Sequence, residues 1–229
     1  MTPFLEARGV GRRFHGGTPE EVRALEGVDL AVERGAFLLV TGPSGSGKTT
    51  LLALLGTLER PTSGSILVEG IDPATLPDAA RSRLRRRFGF AFPGGPMLPR
   101  LPLWENVTYG LLPLGHGVAA RRAAAREALD RVGLGGKSRA AAEELSTGEL
   151  HRAALARALA GRPEAILADE PLASLDPAAA GLVVEALAAF HRGGGTVVAA
   201  THATAPFPFA TGTLRLEGGR RAGNPGDRP

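Results

Sequence analysis

The sequence predicts an α/β domain with a mostly parallel core sheet, antiparallel strands at one edge and an inserted helical lobe. Three observations carry this. A buried-strand pattern runs through a glycine loop into an apolar helix. Two further buried-strand patterns flank a long helix, and alternating segments lie on either side of the glycine loop. The 229 residues, 43% hydrophobic and 22% charged, supply the core of one domain spanning residues 1–229.

Taken in order, Val28-Asp29-Leu30-Ala31-Val32 alternates, as does Ser65-Ile66-Leu67-Val68-Glu69; both read as antiparallel edge strands. Between them, Phe37-Leu38-Leu39-Val40-Thr41 stops at Gly42, the mark of a buried strand ending in a turn. Leu51, Leu52, Leu54, Leu55 and Leu58 are spaced for a helix buried on most of its circumference over 49–58. Residues 79–160 are helical in pattern and rich in alanine and arginine, with one short strand pattern at 88–92; they form the expected lobe. Ala165-Ile166-Leu167-Ala168 and Thr196-Val197-Val198-Ala199-Ala200 are strand patterns around a helix over Pro177–Arg192. Asp176 caps that helix, Pro177 suits its first turn and Gly193-Gly194-Gly195 ends it. The tail over 218–229, polar and rich in glycine and proline, is expected to fray.

Composition excludes several classes. No apolar run approaches the roughly 20 residues a bilayer crossing needs, and Met1-Thr2-Pro3-Phe4-Leu5-Glu6 lacks the basic and apolar regions of a signal peptide, so a cytoplasmic chain is expected. Cysteine is absent, which excludes disulfides, thiolate metal sites and cysteine nucleophiles. The net charge of +4 is mild and comes from arginine, Lys48 and Lys137 being the only lysines. Such a charge, including the run Arg81, Arg83, Arg85, Arg86 and Arg87, reads as a solvated face, so no nucleic acid is expected.

Gly42-Pro43-Ser44-Gly45-Ser46-Gly47-Lys48-Thr49 fits G-x-x-x-x-G-K-[ST] between a predicted strand and a predicted helix, the context this chemistry requires. The glycines let consecutive backbone N–H groups point at phosphate oxygens, and the helix that follows adds the positive end of its dipole. Lys48 reaches the β and γ phosphates of a nucleoside triphosphate. Thr49 offers its hydroxyl to Mg²⁺, and Thr50 adds a hydrogen bond to the phosphates.

The strand at 165–168 runs into Asp169-Glu170, two carboxylates that are costly at the edge of a core unless they have work to do. Asp169 is placed to orient Mg²⁺ or its water, and Glu170 to polarise the water that attacks the γ phosphate. His202 follows the 196–201 strand and is expected at the same carboxyl edge of the sheet, within reach of the γ phosphate.

Leu145-Ser146-Thr147-Gly148-Glu149, followed by Arg152 and Ala156-Arg157-Ala158-Leu159, resembles the LSGGQ signature of ABC ATPases. The resemblance covers nearly the whole chain and implies the P-loop NTPase fold of an ABC-type ATPase, with ATP and Mg²⁺ as cofactors. It implies Phe14 as the adenine-stacking aromatic, Ser174-Leu175-Asp176 as the D-loop and His202 as the switch. Ser146 and Glu149 also form a capping box, which opens a helix. The resemblance has Ser146 and Gly148 at that helix contact the nucleotide held by the opposite subunit, so a homodimer would sandwich two ATP molecules.

Arg12-Arg13-Phe14, Pro61-Thr62-Ser63-Gly64, Leu98-Pro99 and Glu105-Asn106-Val107 resemble the branch serving lipoprotein release, macrolide efflux and cell division. That implies an integral membrane permease partner, peripheral placement on the cytoplasmic face of the membrane, and docking of the partner over 88–104, whose aromatics core packing explains nearly as well. Four departures stand against the family pattern: Ala203 replaces an acidic residue after His202, Leu172-Ala173-Ser174 differs from the common start of the D-loop, and two more bear on turnover. Pro93 replaces a glutamine that touches Mg²⁺ and the attacking water, and Thr147 replaces the first signature glycine. They imply slower hydrolysis, or in a second reading an ATP-binding regulatory subunit that hydrolyses weakly or not at all.

Overall fold

The structure is a computed structural model that describes residues 2–92, 95, 97–202 and 207–223. The chain divides into two compact units, Met1–Arg85 with Val198–Pro229, and Arg86–Val197.

The first unit holds a three-stranded antiparallel sheet in the order β2-β1-β4: β1 (Leu5–Phe14), β2 (Val22–Val32) and β4 (Ser63–Val68). Leu5 pairs with Val32 on one side and Val68 on the other. The two alternating patterns are thus antiparallel strands, and between them lies a strand that the sequence pattern missed. Its Glu6, Arg8, Arg12 and Arg13 and two glycines hide the alternation, and register shifts after Ala7 break its period. Leu5, Ala7 and Val10 are nonetheless buried.

The same unit carries β3 (Phe37–Thr41), which is parallel to β8 (Gly212–Glu217), in the local order β7-β3-β8-β9. Here β7 is Thr196–Thr201 and β9 is Arg220–Ala222. The expected fraying from Gly218 onward is corrected. Gly218 and Gly219, at φ 53° and 78°, make a tight turn that only glycine adopts freely, and β9 returns antiparallel to β8. Residues 224–229 lie outside the described residues. Helix α1 (Lys48–Leu55) buries Leu51, Leu52, Leu54 and Leu55, ending at Leu55 rather than at 58, because Thr57 turns left-handed at φ 58°. The basic helix α2 (Asp78–Arg85) buries only Leu84.

In the second unit β5 (Phe88–Ala91) runs parallel to β6 (Ala165–Asp169), in the local order β5-β6-β7. The short pattern at 88–92 is therefore a strand of the core sheet. Helices α3 (Leu103–Thr108), α4 (Val118–Arg131) and α5 (Thr147–Ala160) follow it. Helix α5 presents Ala153, Ala154, Ala156 and Ala158 to its neighbours, small side chains that allow close helix packing. Helix α6 (Pro177–Arg192) has the expected bounds. Asp176 Oδ1 accepts from the Ala179 N–H at 2.9 Å, and the N–H of Gly193 bonds back to Ala189 at its end.

Candidate functional site

In the first unit the Gly42–Gly47 loop closes around Lys48. The Lys48 ammonium donates to the carbonyls of Gly42 at 2.9 Å and Pro43 at 3.1 Å, which pins the cation inside the curl. The residue is 6% exposed. Gly47 precedes α1 at φ 98°, and among the described residues no side chain caps the helix, whose N-terminus carries the positive end of its dipole. A Cβ at Gly47 would collide with the Ala24 carbonyl, so glycine is required for space as well as for φ. The Ser46 hydroxyl is buried and has no hydrogen-bond partner among the described residues, an orphan of the kind that a phosphate oxygen could satisfy. Thr49 and Thr50 sit in the first turn of α1. The loop therefore fits a nucleotide phosphate chain.

Two other residues of this unit were expected at the nucleotide. Phe14 is partly exposed at the end of β1, with the Arg12 guanidinium 4.6 Å above its ring; one face is already stacked by a cation. Arg12 is held by Glu59 at 2.6 Å. His202 is exposed and follows the last residue of β7, as Gly42 follows the last residue of β3, its neighbour in the sheet.

In the second unit Asp169 is the last residue of β6 and is 6% exposed, while Glu170 follows in the left-handed region at φ 43°. Both line a small cavity of about 10 Å³ with Ala91, Phe92, His151, Leu155 and Pro171, a space on the scale of one water. Ser146 caps α5: its hydroxyl accepts from the Glu149 N–H at 3.3 Å, and Glu149 accepts from the Ser146 N–H at 3.0 Å. The Lys137 ammonium 2.6 Å away, then the Ser146 N–H, hold the Glu149 carboxyl below the usual glutamate range. Gly148 lies where a Cβ would press on the Ser174 carbonyl and the Leu175 side chain, each 3.3 Å off. Glycine thus brings the start of α5 against the 174–176 loop.

Thr147 stands exposed at the first position of α5, lining an open groove of about 470 Å³ with Phe92, Met97, Pro99, Leu150 and His151 among others. Pro93 lies outside the described residues. Among those described, no cluster of three His, Cys, Asp or Glu could hold a metal ion. Sequence reasoning missed His151. Nothing in its spacing on α5 set it apart, and only the fold reveals that it lines both the groove and the cavity.

The profile of the ABC transporter family matches residues 25–173. The chain belongs to the ABC transporter family. It is 39% identical over 227 residues to the lipoprotein-releasing system ATP-binding protein LolD 1 of Caulobacter vibrioides, covering 98% of this chain and 97% of that one. It is 38% identical to the macrolide export ATP-binding/permease protein MacB 2 of Aeromonas hydrophila, covering 99% of this chain but 35% of that protein. The fold matches the ATP-binding cassette MJ0796, solved as a dimer in a post-hydrolysis state bound to ADP and Pi. That match has a TM-score of 0.89 at 32% identity, over 95% of this chain and 96% of that one. The protein is an ATP-binding, ATP-hydrolysing ABC cassette of the lipoprotein-release and macrolide-export branch. Among its described residues no helix is long and apolar enough to cross a membrane.

Proposed function

We propose that this cassette is one half of a homodimeric motor that powers a separate integral membrane permease from the cytoplasmic face of the membrane. The observation that carries the reading is the Gly42–Thr49 loop, closed on Lys48 with an orphan Ser46 hydroxyl and an uncapped α1. In that loop the backbone N–H groups and Lys48 hold the β and γ phosphates of ATP, with Ser44, Gly45 and Thr50 along the chain. Thr49 gives a hydroxyl to Mg²⁺ and Asp169 orients the ion or its water; when bound, Mg²⁺ neutralises charge on the phosphates. Glu170 polarises the attacking water and His202 contacts the γ phosphate.

The open face of Phe14 stacks on adenine, while Ser146 and Gly148 receive the nucleotide of the opposite subunit. The permease docks over the 88–104 stretch, and the names of the relatives, lipoprotein release and macrolide export, favour export or extraction. Residues 1–229 act as one functional cassette with the helical lobe inserted.

The test is Mg²⁺-dependent ATP hydrolysis by the purified chain, with Glu170→Gln beside it. Loss of the general base should lower kcat by about 10²–10⁴-fold while ATP still binds. Turnover surviving in Glu170→Gln would overturn the assigned role, and ATP binding without hydrolysis in the parent chain would favour a regulatory subunit.

A further inference from the structure

We propose that His151 is a positioning residue for the hydrolytic turn, an inference that rests on the ATPase reading above. Its Nδ1 lies 2.7 Å from the carbonyl of Ala173. A carbonyl can only accept, so Nδ1 carries the proton. The N–H of Ala173 bonds back to the Glu170 carbonyl at 3.0 Å, so Ala173 is tied on one side to Glu170 and on the other to the imidazole.

The turn needs such a tie. Glu170 at φ 43° and Ser174 at φ 62° are both left-handed without being glycine, a conformation that persists only where the surroundings over-determine it. His151 reaches the turn from a firm base, since α5 is closed by its capping box and Arg152 donates to the Val132 carbonyl at 2.7 Å. Of the side chains lining the small cavity beside Asp169 and Glu170, the other four, Ala91, Phe92, Leu155 and Pro171, are apolar. Among the described residues, His151 is thus the one polar residue that lines this cavity besides the two carboxylates.

The test compares the parent chain with His151→Leu, which removes the donor, and His151→Asn, whose amide nitrogen sits at the Nδ1 position. Hydrogen exchange over 170–175 and steady-state ATP hydrolysis are both measured. The leucine variant should exchange about tenfold faster in the turn and lose about tenfold in kcat, the scale of one buried hydrogen bond, with KM for ATP within about twofold. The asparagine variant should recover both. Unchanged exchange in the leucine variant, faster exchange with unchanged kcat, or no rescue by asparagine each overturns the proposal. A parent chain without turnover instead refutes the ATPase reading, and the exchange comparison still decides whether His151 holds the turn.

Discussion

At Gly47 two constraints coincide, a φ of 98° and a Cβ that would strike the Ala24 carbonyl. Gly47→Ala should therefore cost more than the roughly 1 kcal/mol of an ordinary glycine replacement, read as a fall in thermal midpoint together with loss of ATP binding. Lys48→Ala should leave the fold standing and abolish ATP binding, which titration calorimetry separates from instability. Both residues were legible in the sequence because the phosphate loop is a local motif, its spacing set by backbone curvature around an anion. His151 was not legible. A histidine on an alanine-rich helix carries no spacing signal, and its partner is a carbonyl 22 positions along the chain.

Among the elements, α5 shows how much a local rule can state in advance: Ser146 with Glu149 three residues on is a capping box in the sequence and in the structure. Ser146→Ala should cost about 1 kcal/mol, visible as a thermal midpoint lower by roughly 2–4 °C in a chain of this size. The Glu149 carboxyl is held below its usual range by Lys137 and the Ser146 N–H. Its contribution is thus complete above the ordinary glutamate value and is lost as pH falls through the lowered one. Acid unfolding of Glu149→Gln should lack that increment, as a pH titration of the midpoint would show. Strands β1, β8 and β9 escaped the reading; charges and glycines mask the period of β1 and β9, and pairing with β2, β4 and β3 makes β1 and β8 strands, with β9 returning on β8.

For the whole molecule, the fold class was legible because buried parallel strands and their helices repeat a pattern that one phosphate loop punctuates. The division at 85/86 and 197/198 was not, since it depends on long-range contacts. If two chains share each nucleotide, specific activity should fall on dilution, with a steeper than linear dependence of rate on protein concentration, whereas a monomeric ATPase would give a straight line. Stability carries a further consequence of the left-handed backbone at Glu170. Holding a non-glycine residue there costs about 1–2 kcal/mol, a penalty that glycine escapes. Glu170→Gly should therefore be dead as a catalyst yet melt a few degrees higher, while Glu170→Gln should be equally dead and gain no such increment. A selection for thermal robustness alone would thus erode the cassette at its hydrolytic carboxylate, trading turnover for durability at a single codon.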